Sequence, residues 1–141
     1  MKQRKLSFEL KNAASELDTL CRQLTKFGNT FGLSQKCIFQ INLALDELFT
    51  NIISYGYNDK GDHRIKFVIS CEDNTVVIQI EDNGVAFDVA EFEISDPKNT
   101  LEDCKVGGLG LHLIRKLMDE IEYKRKKDKN IVILKKKLEG T

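Results

Sequence analysis

The sequence has few of the residues that mark metal centres, disulfide scaffolds and membrane-spanning segments. Its four cysteines form no Cys-x-x-Cys pair and join no Cys/His cluster, and there are only two histidines, so we expect no zinc site. A single proline and the lack of any repeat or low-complexity stretch leave no obvious linker. No apolar run approaches the ~20 residues that a bilayer-spanning helix needs, and we therefore expect no membrane partner.

The chain also lacks an excess of charge of either sign. Lysine plus arginine and aspartate plus glutamate number 22 each, which gives a formal net charge of zero. A neutral chain provides no global argument for nucleic acid as a partner. We interpret the lysine-rich segments 124–129 and 135–137 as the solvated ends of strands. Alternating residues, and not an apolar stretch, follow residues 1–5, so we expect a cytoplasmic protein without a secretory signal.

What the sequence does contain is an orderly series of helix and strand patterns. Its 141 residues favour one compact domain over residues 1–141, long enough to bury its own core. The order predicts an α+β fold, a two-layer sandwich with helices on one face of a mainly antiparallel sheet. The predicted strands are 6–10, 65–69, 76–80, 121–123 and 131–134, with hairpin turns at 72–74 and 127–130, and the predicted helices are 13–27, one from an N-cap at Ser34 to 55, and 111–118.

The second predicted helix carries a polar pair beside its apolar stripe. Leu45, Leu48 and Ile52 belong to the stripe, and Glu47 and Asn51 lie four residues apart on one face next to it. A carboxylate and an amide at the edge of a buried stripe are unfavourable unless something engages them. The amide oxygen of Asn51 suits a hydrated magnesium ion, and Glu47 suits proton removal from an attacking hydroxyl or water. The alternative is an ordinary helix with a polar edge.

A second polar cluster, Glu81-Asp82-Asn83-Gly84, directly follows the apolar strand 76–80. Asp-Asn-Gly is a favourable turn sequence, so a simple turn is one interpretation. The other interpretation is a binding role, in which Asp82 accepts a hydrogen bond from an exocyclic amine. Gly84 then allows a flat ring to approach the backbone.

A third feature is a glycine-rich entry to the last predicted helix. Gly107, Gly108, Leu109 and Gly110 directly precede it, and glycines before a helix N-terminus leave backbone N–H groups free to hold phosphate oxygens. The segment lacks the Gly-Lys-Ser/Thr of a Walker A loop and the pattern of the dinucleotide fingerprint. The connection before it is too long for an ordinary loop, so we expect a mobile lid over 89–106. A flexible loop with a glycine entry to a helix is the alternative.

Together, the order and spacing of these three features resemble the N, G1 and G2 boxes of the GHKL (Bergerat-fold) superfamily of ATPases and kinases. The similarity is greatest to the histidine-kinase-like ATPase domain of bacterial anti-sigma-factor serine kinases, and it spans nearly the whole chain. Its motifs are LDELFTNII at 45–53, YGY at 55–57, EDNGVAFD at 81–88, GGLGL at 107–111 and LMDE at 117–120.

This resemblance implies ATP and Mg²⁺ as ligands and gives roles to particular positions. Glu47 is implied as the general base, Asn51 as the magnesium ligand, Asp82 as the acceptor for adenine, and 107–110 as the phosphate-binding segment. The implied protein is a serine kinase that transfers the ATP γ-phosphoryl group to an anti-anti-sigma (STAS) partner and sequesters a sigma factor. The family also implies a homodimer, and the predicted strand 6–10 is an edge element that needs cover.

Three positions depart from the family's pattern. Asn130 stands where many relatives have a threonine that helps to hold the adenine, and it is able to take the same role. Tyr55 replaces a histidine of some relatives. Val106 replaces an arginine of some kinases, and Lys98 or Lys105 is an alternative source of positive charge. Because this last departure concerns phosphoryl transfer, a second function stays open: a non-catalytic module in which ATP gates the sequestration of a regulatory partner.

Overall fold

Five strands and three α-helices form the part of the chain that the computed structural model describes, residues 5–57, 61–86 and 108–138. Their order along the chain is the predicted one. The strands are β1 (Lys5–Lys11), β2 (Arg64–Glu72), β3 (Thr75–Asp82), β4 (Glu120–Lys126) and β5 (Lys129–Lys137). The helices are α1 (Leu17–Thr30), preceded by a 3-10 turn at Ala14–Glu16, α2 (Gln35–Tyr55) and α3 (Gly108–Leu117).

The strands form one sheet in the order β1-β2-β3-β5-β4, and every neighbouring pair is antiparallel. The helices and one face of this sheet share a single apolar core. The predicted α+β class and two-layer arrangement are therefore confirmed. The order also places β1 at one edge of the sheet and β4 at the other.

Strand periodicity explains which side chains reach the core. In β2, Ile65 and Phe67 are 0 % and 1 % exposed, whereas Lys66 between them is exposed. Phe67 is paired with Ile80 of β3, and its ring lies 6.0 Å from that of Phe49 in α2. Successive side chains of a strand point to opposite faces of the sheet, so the alternating pattern fixes the face that packs on the helices.

The two hairpin turns differ in how well the sequence predicts them. Asp73 and Asn74 have φ angles of 50° and 59°, the left-handed conformation that short antiparallel hairpins favour. The prediction of a second turn over 127–130 is wrong in its extent, because β5 already begins at Lys129. Asn130 consequently lies inside the sheet, paired with Arg125 of β4 on one side and Asp82 of β3 on the other.

The end of α1 is a further difference from the prediction. The helix continues through Gly28 to Thr30. Gly28 is a site of close packing, where an added Cβ would overlap the side chain of Ile38 in α2. Gly32, with φ of 76°, terminates the helix. The N–H of Leu33 then donates to the Gly28 carbonyl over 2.8 Å, a Schellman-type closure.

Helix α2 runs between the predicted cap and the predicted stop. The Ser34 hydroxyl accepts from the Cys37 N–H over 3.0 Å, which satisfies one of the free donors of the first turn. At the other end, the Gly56 N–H donates to the Ile52 carbonyl. Leu45 and Leu48 of the apolar stripe are 0 % and 1 % exposed. Within the described ranges, no helix has both the length and the apolar character to cross a membrane.

Candidate functional site

The polar pair of α2 lies where the sequence places it, beside the buried stripe. Asn51 is only 7 % exposed, and its Nδ2 has no hydrogen-bond partner among residues 5–57, 61–86 and 108–138. Glu47, one helical turn earlier, is half-buried. A buried amide donor without a partner is costly, so Asn51 is a side chain that a bound group is able to engage.

Asp82 ends β3 with its carboxylate inside the protein, and it is 5 % exposed. Its Oδ1 accepts two hydrogen bonds, from the Gly84 N–H over 2.8 Å and from Asn130 Nδ2 over 3.0 Å. In the part of the chain described, no hydrogen bond reaches Oδ2. Asp82 therefore offers one fixed oxygen and one available acceptor.

Opposing influences set the protonation of this carboxyl. Burial raises the pKa of Asp82 above its ordinary value. The hydrogen bonds from Asn130 and Gly84 and the charge of Arg125 favour the ionised form and lower the pKa, whereas the charge of Glu81 raises it. The net direction is upward, because removing the carboxylate from water outweighs the donors that surround it.

Gly84 has an internal reason to be glycine. A Cβ there would overlap the carbonyl oxygen of Gly56, the residue that ends α2. The next residue, Val85, donates its N–H to that same oxygen over 2.7 Å. This close backbone approach ties the segment after β3 to the end of α2, so the cluster at 81–84 and the helix that carries Asn51 meet. This arrangement is compatible with both interpretations of the segment 81–84, a turn and a binding role for Asp82.

Asn130 lies at the centre of a network that joins three strands, and it is 4 % exposed. Its Nδ2 donates to Asp82 Oδ1 over 3.0 Å and to the Val85 carbonyl over 2.7 Å. Its Oδ1 accepts from the Tyr123 hydroxyl over 2.6 Å and from Arg125 Nη1 over 3.0 Å. Contact between Asn130 and a base, as the sequence analysis allows, requires the exchange of one of these bonds.

Sequence reasoning missed Tyr123 and Arg125. Arg125 falls in the lysine-rich segment that we interpreted as a solvated strand end. It is exposed, as expected, but it also donates to Asn130 and to the Gly84 carbonyl. The available signal was strand periodicity. Residues 121, 123 and 125 lie on one face of β4, because side chains two residues apart in a strand point the same way. Ile121 and Tyr123 pack against the core on that face.

The third feature is only partly within the described residues. The backbone of α3 begins at Gly108, so Gly108, Leu109 and Gly110 form its first turn, earlier than the predicted start at 111. The helix packs against α2, the helix that carries Glu47 and Asn51. Gly107, the predicted lid over 89–106 and the alternative cations at 98 and 105 lie outside the described residues.

The donor set bears on the kind of metal site this region is able to form. No cluster of three or more His, Cys, Asp or Glu side chains occurs within the described ranges. Mg²⁺ that keeps several waters and binds through one protein oxygen and substrate phosphates fits the side chains described here, with the amide oxygen of Asn51 as the candidate protein ligand.

Comparisons with known proteins show what the chain is similar to. The family model described as histidine kinase-like ATPase domain matches residues 10–136. The chain is 34 % identical over 109 residues to the serine-protein kinase RsbW of Halalkalibacterium halodurans, covering 74 % of this chain and 65 % of that protein. It is 32 % identical over 115 residues to RsbW of Bacillus thuringiensis, covering 76 % and 69 %. The chain thus spans 65 % to 69 % of the length of these relatives.

A solved structure supports the fold independently. The crystal structure of the RsbU and RsbW domains of Rv1364c from Mycobacterium tuberculosis matches with a TM-score of 0.68 at 19 % identity. The match covers 95 % of this chain and 32 % of that one. At this identity the likeness concerns the architecture alone.

Proposed function

The chain belongs to the histidine kinase-like ATPase domain family, and from that premise we propose that it is an ATP-dependent protein serine kinase of the anti-sigma-factor type. In this proposal it binds ATP with Mg²⁺ and transfers the γ-phosphoryl group to a serine of an anti-anti-sigma (STAS) protein. It sequesters a sigma factor while that partner is phosphorylated. The relatives from Halalkalibacterium halodurans and Bacillus thuringiensis are named serine-protein kinases, which supports the reaction class.

The observation that carries the nucleotide assignment is the half-satisfied carboxylate of Asp82. Its Oδ1 is held by Gly84 and Asn130, which leaves Oδ2 to accept from a donor. The exocyclic amine of adenine is such a donor, whereas guanine has a carbonyl oxygen at that place. Two acceptors that face each other in a closed site are penalised, so ATP is the expected nucleotide.

The residues of α2 supply the remaining chemistry. Asn51 would hold the metal through its amide oxygen, and this metal would supply charge neutralisation at the phosphates. Glu47 is half-buried one turn away and accepts the proton of the attacking serine hydroxyl. The backbone N–H groups at the start of α3, with Gly107, hold phosphate oxygens.

The partners of this kinase are a STAS protein, a sigma factor and a second copy of the chain. The homodimer is proposed from the family resemblance, and β1, an edge strand of the sheet, is an element that pairing between copies would cover. We place these interactions in the cytoplasm, and assign no nucleic acid or membrane among the partners.

A second candidate function is a non-catalytic module that holds its partner only when ATP is bound. The departure at Val106 from an arginine of some kinases motivates this alternative. Glu47 distinguishes the two functions, because sequestration alone has no need for a carboxylate at that position.

The test is the conservative substitution Glu47→Gln, which keeps the size of the side chain and removes the base. We expect phosphorylation of a STAS partner to fall by about 10²- to 10⁴-fold, with ATP affinity nearly unchanged, because this interaction forms mainly in the transition state. Labelled ATP measures transfer, and calorimetry measures affinity. Glu122→Gln, an exposed glutamate of β4, is the matched control.

Transfer at the wild-type rate by Glu47→Gln contradicts the role of this residue as base. Tight ATP binding by the unaltered protein, without transfer to any STAS candidate, instead supports the ATP-gated module.

A further inference from the structure

We propose that Arg125 and Asn130 are positioning residues that set the choice of nucleotide base, by holding one oxygen of Asp82 so that the other alone faces the ligand. The inference rests on the ATP-binding role proposed above and deepens it. Neither residue contacts the base in this arrangement, and both act through the carboxylate.

The Asn130 side chain has no hydrogen-bonding capacity left for a ligand. An amide offers two N–H donors and a carbonyl oxygen with two lone pairs. Both donors are used, on Asp82 Oδ1 and the Val85 carbonyl. Both lone pairs are used as well, by the Tyr123 hydroxyl and Arg125 Nη1. Asn130 therefore influences the base only through what it holds.

Arg125 determines which way the amide faces. A half-turn of the Asn130 side chain would bring its oxygen against Asp82 Oδ1 and the Val85 carbonyl. The same half-turn would bring its NH₂ group against Arg125, which has donors only. Unpaired polar groups at a buried position are costly, so the guanidinium keeps the Asn130 donors directed at Asp82.

Arg125 also restrains the second donor to Asp82. Its Nη1 donates to the carbonyl oxygen of Gly84 over 2.8 Å, and the N–H of Gly84 donates to the same Asp82 Oδ1. Strand register makes this arrangement possible, since Asn130 is paired with both Arg125 and Asp82. A single guanidinium nitrogen thus donates to both residues that hold Oδ1.

A fixed carboxylate discriminates between bases better than a rotating one. With Oδ1 held, Oδ2 meets the amine of adenine favourably and the carbonyl oxygen of guanine unfavourably. A carboxylate that is free to turn has a further option, because guanine carries N–H donors next to that carbonyl. Loosening Asp82 therefore weakens ATP binding and reduces the penalty against GTP, so the ratio of the two affinities reports the effect.

The test measures Kd for ATP and for GTP, each with magnesium, by calorimetry. Arg125→Met keeps much of the length of the side chain and removes its donors. We expect the ratio Kd(GTP)/Kd(ATP) to fall about tenfold, the equivalent of one charge-assisted hydrogen bond. Lys124→Met removes the same charge from the neighbouring exposed position of β4, on the other sheet face, and should leave the ratio unchanged.

Two more variants separate positioning from a general effect of charge. Arg125→Lys keeps the charge and replaces the planar fork with a single ammonium, so the ratio should still fall, by a smaller factor. In an Asn130→Ala background, Arg125→Met should change the ratio less than it does alone, because coupled residues are not additive. Circular dichroism checks that each variant folds. If Arg125→Met does not fold, the result for Arg125→Lys decides the outcome.

Three results would overturn the proposal. A wild-type ratio in both Arg125 variants removes the positioning role and leaves the proposed function intact. If Arg125→Met weakens the binding of ATP and GTP equally and Arg125→Lys restores both affinities, the charge of Arg125 acts on the phosphates and not on the choice of base. Wild-type protein that binds neither nucleotide, or binds both equally, overturns the assignment of Asp82 and this inference with it.

Discussion

At the residue scale, Asp82 combines a structural cost with the binding function proposed for it. Its folded pKa is raised above the ordinary value, chiefly by burial, so the native state binds a proton more readily than the unfolded chain does. The stability that this proton provides is present at low pH and is lost as the pH rises through the folded pKa. At neutral pH the ionised carboxylate thus weakens the fold, and we attribute its presence to recognition of a ligand.

The protonation of Asp82 predicts an acid limit to ATP binding. Binding needs the ionised carboxylate, so affinity should be full above the pKa of Asp82 and should fall as the pH drops through it. Glu81 raises this pKa and Arg125 lowers it. We expect Glu81→Gln to move the midpoint of the loss to lower pH, and Arg125→Met to move it to higher pH.

Titrations of ATP affinity against pH measure these midpoints. The exposed control Glu9→Gln on β1 should keep the wild-type midpoint. Midpoints that move in the same direction in the Glu81 and Arg125 variants would show that Asp82 is not the group responsible.

At the scale of elements, periodicity predicts the order and the buried faces of the strands, but not where each strand ends. Residues 127–130 form a polar run without alternation, so the sequence gives no sign that β5 begins at Lys129. That error moved Asn130 from a strand into a turn and hid its pairing with Arg125. The polar pair of α2 and the polar cluster at 81–84 were predictable because short motifs carry them, whereas the network around Asp82 depends on the register between strands.

Gly28 gives a prediction about the packing of α1 on α2. Alanine is about 1 kcal/mol better than glycine inside a helix, so local propensity alone would make Gly28→Ala stabilising. The added Cβ overlaps Ile38, however, and overpacking typically costs about 1–3 kcal/mol. We therefore expect Gly28→Ala to lower the free energy of unfolding in urea.

A double-mutant cycle checks the physical cause. In an Ile38→Ala background the new methyl group has space, so Gly28→Ala should be neutral or stabilising there. Destabilisation of equal size in both backgrounds would show that the helix contact is not responsible.

At the scale of the whole molecule, α2 connects the parts of the site. Its polar pair is Glu47 and Asn51, the Gly56 that follows it contacts the segment after β3, and α3 packs against it. The sheet in turn holds Asp82 through its pairing with Asn130. A ligand that engages both layers is therefore expected to stabilise the domain as a unit, and not one element alone.

Thermal unfolding measures this global effect and isolates the role of Asn51. A ligand at 100 times its Kd stabilises the native state by about 2.7 kcal/mol, which for a domain of this size corresponds to a rise in Tm of roughly 5 to 10 °C. We expect a rise of this order with ATP and Mg²⁺ and a smaller one with ATP and a chelator, because Asn51 would hold the metal that accompanies the phosphates. Asn51→Ala should remove the difference between the two conditions.

Asn42→Ala is the matched control on the same helix. The Nδ2 of Asn42 contacts Cys21 of α1, so the substitution is expected to change the starting Tm and keep the magnesium-dependent part of the rise. If wild-type protein shows the same rise with and without Mg²⁺, the metal does not bind through α2 and the assignment of Asn51 is wrong.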